Sequence, residues 1–526
     1  MSKKQKETKK KNKGRKHLKY IIPILFIPII ILLLVKTFDE KLHMGGDNAH
    51  YYILAKSIKQ DFSYKEIQRP DAPPAKHFPP GYPLFLSIAL FFGKYAFIVG
   101  KVLNGVLLII SFLIFYLLMD EVLSKNYLKV LASVFFVFNA NLYYYSTYMM
   151  SEILFMLTTL LTLLLIAKSK HLVNRKYWIY FALIILLSIY TWYIRTIGTS
   201  LIIAIVIYYL IQKKWKESLI YTGSIVLGLL PWIIRNKNLG GNSYMNQLMK
   251  VNPLSPEDGI MGLSDWGIRI WENFVRYISY EMYALFFPYI RYINYKVNAP
   301  IWMYILGGIL FVLMIIGMIK LKKYGWLIFF YLGATIGILL LWPSIWKGVR
   351  FIVPLYPVLL LLSIKGLHSV FIFGASMFKK ENYQKRVVLI GMLLTLIIVP
   401  NMINGIKGLQ SIVRSELKPS YQNYFRMAAY CNQKLPKDAV ICCRKPNLFY
   451  LMSNRKVTNF KNTSDKNEFM NLLVDRNVRY VVVDQLGYSN VGKYLVPFIQ
   501  ENKYLFRPIN KLPKPDTYLL EFKSPK

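Results

Sequence analysis

Residues 20–35 read Tyr20–Ile21–Ile22–Pro23–Ile24–Leu25–Phe26–Ile27–Pro28–Ile29–Ile30–Ile31–Leu32–Leu33–Leu34–Val35. No charge interrupts this run. Its length approaches the ~20 apolar residues a helix needs to cross about 30 Å of hydrocarbon. Before it, Lys3 to Lys19 holds ten Lys or Arg and one acid, Glu7. That pattern reads as a disordered cytoplasmic tail touching anionic lipid. The apolar run is long for a signal h-region and no small-residue cleavage site follows it, so it reads as a retained signal-anchor helix.

Further apolar blocks follow at approximately 96–119, 128–148, 151–167, 177–194, 197–212, 218–234, 300–320, 324–342, 351–378 and 387–407. Together with the first they predict a membrane helical bundle of about eleven spans. Composition agrees: 55% of the 526 residues are hydrophobic and 16% aromatic, with a mean hydropathy of +0.34. The formal net charge of +41 argues weakly for nucleic acid, because the charge is concentrated between the apolar blocks. With the N-terminus inside, the short inner loops are 120–127, 168–176, 213–217, 320–323 and 379–386. Each carries Lys or Arg, and all but 120–127, where Asp120 and Glu121 stand against Lys125, are net basic: Lys168, Lys170, Arg175 and Lys176; Lys213, Lys214 and Lys216; Lys320, Lys322 and Lys323; Lys379, Lys380, Lys385 and Arg386. This is the positive-inside pattern. The expected location is the plasma (inner) membrane, with the N-terminus cytoplasmic. Residues 81–93 read as either a further short span or a re-entrant piece.

Three longer segments then face the periplasm or the extracellular space: 37–95, 235–299 and 408–526. The last has ordinary globular composition. Val478 to Asp484 reads as a buried strand, Ala439 to Cys443 and Thr517 to Phe522 as two more, and Phe469 to Arg476 as a helix. Alternating strands and helices predict a small external α/β domain. The expected domains are thus a tail over 1–19, a membrane domain over 20–407 and a soluble domain over 408–526. Cys431, Cys442 and Cys443 all lie in the last. One disulfide, Cys431 with Cys442 or Cys443, and three buried thiols are equally consistent with the sequence. The spacing does not suggest a metal site.

Chemistry-bearing residues gather at the outer ends of the spans. In Gly45–Gly46–Asp47–Asn48 the glycines let backbone approach a ligand, and Asp47 precedes a helix beginning near Asn48. An N-cap is the plain alternative for this Asp. Lys76 and His77 share its loop, just before Pro79–Pro80–Gly81–Tyr82–Pro83. A carboxylate beside cationic donors suits sugar transfer from a lipid phosphate: the carboxylate takes the acceptor proton and the cations stabilise the departing phosphate. Glu152, after Ser151, opens a span and is either a first-turn acid or faces a polar cavity. Arg195 and Arg350 sit at outer helix ends, where each either snorkels or binds an anionic headgroup or pyrophosphate. Lys347, Pro354 and Pro357 accompany Arg350. Arg235 is a weaker candidate.

The order of these features resembles the GT-C glycosyltransferases, in particular the bacterial relatives of protein O-mannosyltransferases and of aminoarabinose lipid A transferase. The resemblance rests on the early external Asp47, the interfacial helix after it, Pro79 to Pro83, Ser151–Glu152, and Arg350–Phe351–Ile352–Val353–Pro354–Leu355–Tyr356–Pro357, over roughly residues 20–407. It implies transfer of a sugar, with mannose the family's suggestion, from a polyprenyl-phosphate carrier, with inversion. By the same resemblance Asp47 is the catalytic base. Lys76 or His77, with Arg350, would hold the donor phosphate, and Glu152, Arg195 and Tyr82 would line the cavity or acceptor site. The implied partners are the lipid-linked donor, an acceptor protein, lipid or glycan, and membrane lipid. Many relatives carry Asp-Glu where this chain has Asp47–Asn48, so a metal site built on that pair lacks its second carboxylate. A divalent metal stays open as a cofactor.

Two other classes fit less well. A transporter or lipid-linked-sugar flippase places charges and broken helices near the midplane, often in two similar halves; here the polar residues lie at span ends. A glycan polymerase or ligase of the O-antigen type leans on a later external loop with Arg and His. Loop 235–299 has Arg269, Arg276 and Arg291 but no His.

Overall fold

The structure is a computed structural model that describes residues 21–241, 243–288, 295, 298–321, 323–377 and 383–525. The expected basic tail, with Lys3 to Lys19, lies outside the described residues, as do Arg291, Lys322, Lys379 and Lys380. The chain is mostly helical and divides into two compact units. One comprises Met1–Asp39, Ile98–Arg235 and Trp266–Arg414; the other comprises Glu40–Phe97, Asn236–Asp265 and Ser415–Lys526.

The first unit is a helical bundle. Among the described residues eight helices are long and apolar enough to cross a membrane, and three shorter apolar helices, Ile21–Lys36, Asn126–Val137 and Thr196–Ile211, accompany them. The expected block 128–148 is broken. Asn126–Val137 stops after twelve residues. Asn139 then caps a new short helix, Ala140–Ser146, by accepting a hydrogen bond from the Asn141 amide. Its Nδ2 donates to the Leu285 carbonyl at 2.7 Å. A polar side chain that satisfies backbone groups on two segments ends the first helix more cheaply than a continued apolar run would bury it.

Small residues set one close crossing. A methyl group at Gly366 would sit 1.9 Å from the Leu313 carbonyl oxygen, and one at Gly317 would sit 2.0 Å from that of Leu362. The helices Ile301–Lys320 and Tyr356–Met377 therefore touch backbone to backbone, the close packing that small residues permit between membrane helices. Thr335 Oγ1 donates to Ser200 Oγ at 2.8 Å, joining Lys323–Leu341 to Thr199–Ile211.

The second unit is built on a five-stranded sheet. Its strands are β1 (Val440–Cys442), β2 (Lys456–Thr458), β3 (Tyr480–Val483), β4 (Phe506–Leu512) and β5 (Thr517–Phe522), in the order β2-β1-β3-β5-β4. The first three are parallel and the last two antiparallel. Alternation sorts the strands into two cores. Ile441, Val482 and Leu519 pack with Tyr424, Phe449 and Cys431 on one face. Val440, Val481 and Leu520 pack with Phe469, Leu473 and Phe498 on the other. Burial on both faces is what a parallel sheet covered by helices requires. The helix Lys466–Asp475 begins where the Asp465 side chain accepts from the Asn467 and Glu468 amides.

The first external segment belongs to this unit. Ala49 and Leu42 are part of the core that contains Ile441 and Val482. The Val457 amide donates to the Gln68 carbonyl at 2.8 Å, extending hydrogen bonding beyond β2. Residues 81–95 form a short helix, Gly81–Leu86, and a 3-10 turn kinked at Gly93. All three cysteines are buried and free.

Candidate active site

Two polar clusters carry the residues that the sequence singles out, one in each unit.

In the second unit the helix Asp47–Asp61 starts at a left-handed glycine: Gly46, with φ +99°, is the cap, and no side chain caps the helix. Asp47 is therefore the first helical residue and not the N-cap, so its carboxylate complements the positive helix end. The turn before it is pinned by Lys445, whose Nζ donates to the Gly45 carbonyl at 2.7 Å. His50 lies one turn on, and its Nε2 reaches both Glu66 oxygens, at 2.9 and 2.8 Å. Gln68 Nε2 donates to Glu66 Oε2 at 2.6 Å. Burial alone would raise the Glu66 carboxyl; the His50 and Gln68 hydrogen bonds outweigh it and hold the group below its ordinary value.

His77 is stacked between His50, at 6.4 Å and 7°, and Tyr244, at 4.9 Å, with Phe78 edge-on at 4.5 Å. Burial, and then the His50 charge, pushes its pKa down to about 4 against the opposing pull of Asp47 and Glu66. At neutral pH His77 is thus an uncharged imidazole that offers an N–H or a lone pair and no positive charge. Lys76 Nζ donates to the Leu239 carbonyl at 3.0 Å. Tyr82 is fully buried and packs edge-on against Tyr51 at 4.9 Å.

In the first unit Glu152 opens the helix Glu152–Ser169 and is completely buried. Its Oε1 accepts from Arg195 Nη1 at 2.7 Å and from Arg350 Nε at 2.5 Å. Arg195 also donates to Ser151 Oγ at 3.1 Å. Arg195 is placed by the end of Asn174–Ile194, where it leaves helical geometry as the C-cap. Arg350 is placed by a 3-10 turn entered through Gly348 at φ +130°. Behind Glu152, Asn104 Nδ2 donates to the Tyr148 and Met150 carbonyls at 2.5 and 3.2 Å, which fixes the chain entering the helix. These three side chains bring two guanidinium groups to one carboxylate, donors of the kind that suit a phosphate.

The structure therefore brings Glu152, Arg195 and Arg350 together, and sets Asp47 near His77. It also adds residues the sequence reading missed. His50 was findable, because it lies three residues after Asp47 on the same helical face. Glu66 carried no local signal, since a turn and an intervening loop deliver it. A second pair, Arg276 Nε to Glu281 Oε1 at 2.8 Å, lies in the first unit; the Gly348 amide donates to the same Glu281 oxygen at 3.4 Å, so this pair touches the turn that carries Arg350. Among the described residues no group of three or more His, Cys, Asp or Glu is arranged to hold a metal ion.

No protein-family model matches the chain, and no curated protein sequence does. Solved structures do. The oligosaccharyltransferase AglB of Archaeoglobus fulgidus, in complex with an inhibitory peptide and a dolichol-phosphate, is similar with a TM-score of 0.59 at 13% identity, over 94% of this chain and 73% of that one. ArnT of Cupriavidus metallidurans in the apo state is similar with a TM-score of 0.56 at 10% identity, over 96% and 99%. ArnT bound to undecaprenyl phosphate gives the same score at 10% identity, over 94% and 97%. AglB and ArnT are GT-C membrane glycosyltransferases, and the chain described here shares their fold.

Proposed function

We propose that this protein is a glycosyltransferase that moves a sugar from a polyprenyl-phosphate donor to an acceptor hydroxyl on the external face of the membrane. The observation that carries the reading is Glu152 holding Arg195 and Arg350 on one oxygen at the mouth of a membrane helix. The GT-C fold, and the lipid phosphates in the AglB and ArnT complexes, support the donor class.

In this reading Asp47 is the general base. Its carboxylate takes the proton from the acceptor hydroxyl as that oxygen attacks the anomeric carbon. The bond from the anomeric carbon to the phosphate oxygen breaks on the opposite side, and the electron pair leaves with the polyprenyl phosphate. A single displacement of this kind inverts the anomeric centre. Arg350 and Lys76 neutralise the departing phosphate, and neutral His77 contributes a hydrogen bond. Glu152 orients Arg350, and Arg195 shapes the cavity. The Lys- and Arg-bearing inner loops support a cytoplasmic N-terminus and an external C-terminal unit. That unit holds the acceptor, which is a protein, a lipid or a growing glycan.

The test is a proteoliposome assay with polyprenyl-phosphate hexoses, mannose first. Transfer by the wild type with a loss of about 10²–10⁴ in Asp47→Asn, in a variant that still inserts and folds, supports the reading. Wild-type rates in Asp47→Asn remove Asp47 from the mechanism. Carrier movement without bond cleavage replaces the enzyme with a flippase.

A further inference from the structure

The helix Glu152–Ser169 has a second polar end. Its eighteen residues rise about 1.5 Å each, so Ser169 lies roughly 26 Å from Glu152 along the axis. At that far end the bundle carries a half-open cavity of about 570 Å³. The helices Ala96–Val122, Glu152–Ser169, Thr199–Ile211 and Ile301–Lys320 all contribute their C-terminal ends to it.

Its floor is aromatic: Tyr208, Tyr209 and Tyr324 are buried at 5%, 3% and 3% exposure. Its rim is cationic, with Lys170, Lys214 and Lys320 against one acid, Glu121. None of the three lysines is in an ion pair among the described residues. Two are held in place by rings. Lys170 Nζ stands 4.5 Å over the Tyr324 ring. Lys214 Nζ stands 4.6 Å over Tyr177 and donates to its hydroxyl at 3.2 Å, while that hydroxyl donates to Glu217 at 3.2 Å. Partial burial lowers the Lys170 ammonium's pKa, with Glu121 opposing. Helix C-termini attract cations, and that accounts for lysines near the helix ends. It does not account for three of them around a shared, tyrosine-floored cavity.

We propose that this cavity is a binding site for a phosphate-bearing head, with the phosphate on the lysine rim and the attached polar group on the tyrosine floor. Lysine binds phosphate as a point charge, and basic pockets between membrane helices on the inner side suit anionic lipid headgroups. The site is separate from the Glu152 cluster and does not depend on the reaction proposed above. Two sources carry this chemistry, an anionic phospholipid and a soluble phosphate ester.

The experiment uses the full-length protein in two settings. In phosphatidylcholine nanodiscs with increasing phosphatidylglycerol, native mass spectrometry counts the lipids retained. In detergent, pyrophosphate is titrated and the melting temperature followed. With a contribution of about fivefold per lysine, the triple variant K170Q/K214Q/K320Q should bind roughly a hundredfold more weakly. The triple K170R/K214R/K320R should retain binding, and K125Q/K176Q/K216Q, from the same loops but off the rim, should change it little. If the triple Gln variant does not fold, K170Q and K214Q singly carry the test at about fivefold each. Loss only with phosphatidylglycerol assigns the phosphate to a lipid; loss with pyrophosphate assigns it to a soluble phosphate compound. Equal binding by wild type and the rim variants, or equal losses in the rim and off-rim variants, overturns the site.

Discussion

Glu152→Gln tests the arginine cluster most directly. The carboxylate is completely buried, while the Arg195 and Arg350 side chains keep 16% and 26% exposure. Oε1 accepts from both, and Oε2 has no hydrogen-bond partner among the described residues. A glutamine can keep its oxygen in the Oε1 position and turn its NH2 toward Oε2, so shape and both hydrogen bonds survive and the charge alone is lost. Each pair is worth about 4 kcal/mol at 4 Å and an effective dielectric near 20. Removing a buried carboxylate recovers several kcal/mol of its desolvation, which leaves the usual net cost of about 3–5 kcal/mol for breaking a buried pair. The partial exposure of both arginines puts this case near ~3 kcal/mol. At about 2 °C per kcal/mol for a large domain the melting temperature falls by roughly 6 °C. Released from their anchor, the arginines also raise the KM for the lipid donor. Thermal unfolding in detergent and donor titration measure the two effects. Arg350→Met should cost less in the Glu152→Gln background than in the wild type, by about 0.5–3 kcal/mol. A Glu152→Gln protein with wild-type melting temperature and donor KM would refute the account.

Gly46→Ala forces a side chain into φ +99° at a cost of about 1–2 kcal/mol, so circular dichroism melts should drop and Asp47 should shift with the helix start, lowering transfer. His77 binds its proton near pH 4 when folded and near 6.5 when unfolded. The unfolded chain therefore takes up more protons across that window, and stability falls as pH drops from 6.5 to 4, by about 3 kcal/mol. His77→Gln should flatten this part of the pH–stability curve, and an unchanged acid slope would remove His77 as its cause. Burial pushes the Cys431 and Cys442 thiols up to about 12, so they stay protonated and should resist iodoacetamide until the protein is denatured, with intact-mass spectrometry counting the additions.

The sequence by itself determined the membrane class, because lipid leaves a spanning segment no choice but an apolar helix and long apolar runs are visible without any partner. It also located β1, β3 and β5, the first two by short apolar runs that announce strands buried on both faces. Short edge pieces were not legible: β2 is only Lys456–Thr458 and is defined by pairing to β1. The break at Asn139 was hidden for a similar reason, since the hydrogen bond to Leu285 that uses its side chain comes from a residue 146 positions away. The same division holds at the site. Asp47, Glu152, Arg195 and Arg350 stood out one by one as charges at span ends. That Glu152 receives both arginines, and that His77 is an uncharged ring beside a His50–Glu66 pair, was decided by tertiary packing alone. A charge is a property of one residue. Its partner, its burial and therefore its protonation are properties of whatever the fold places within a few ångströms.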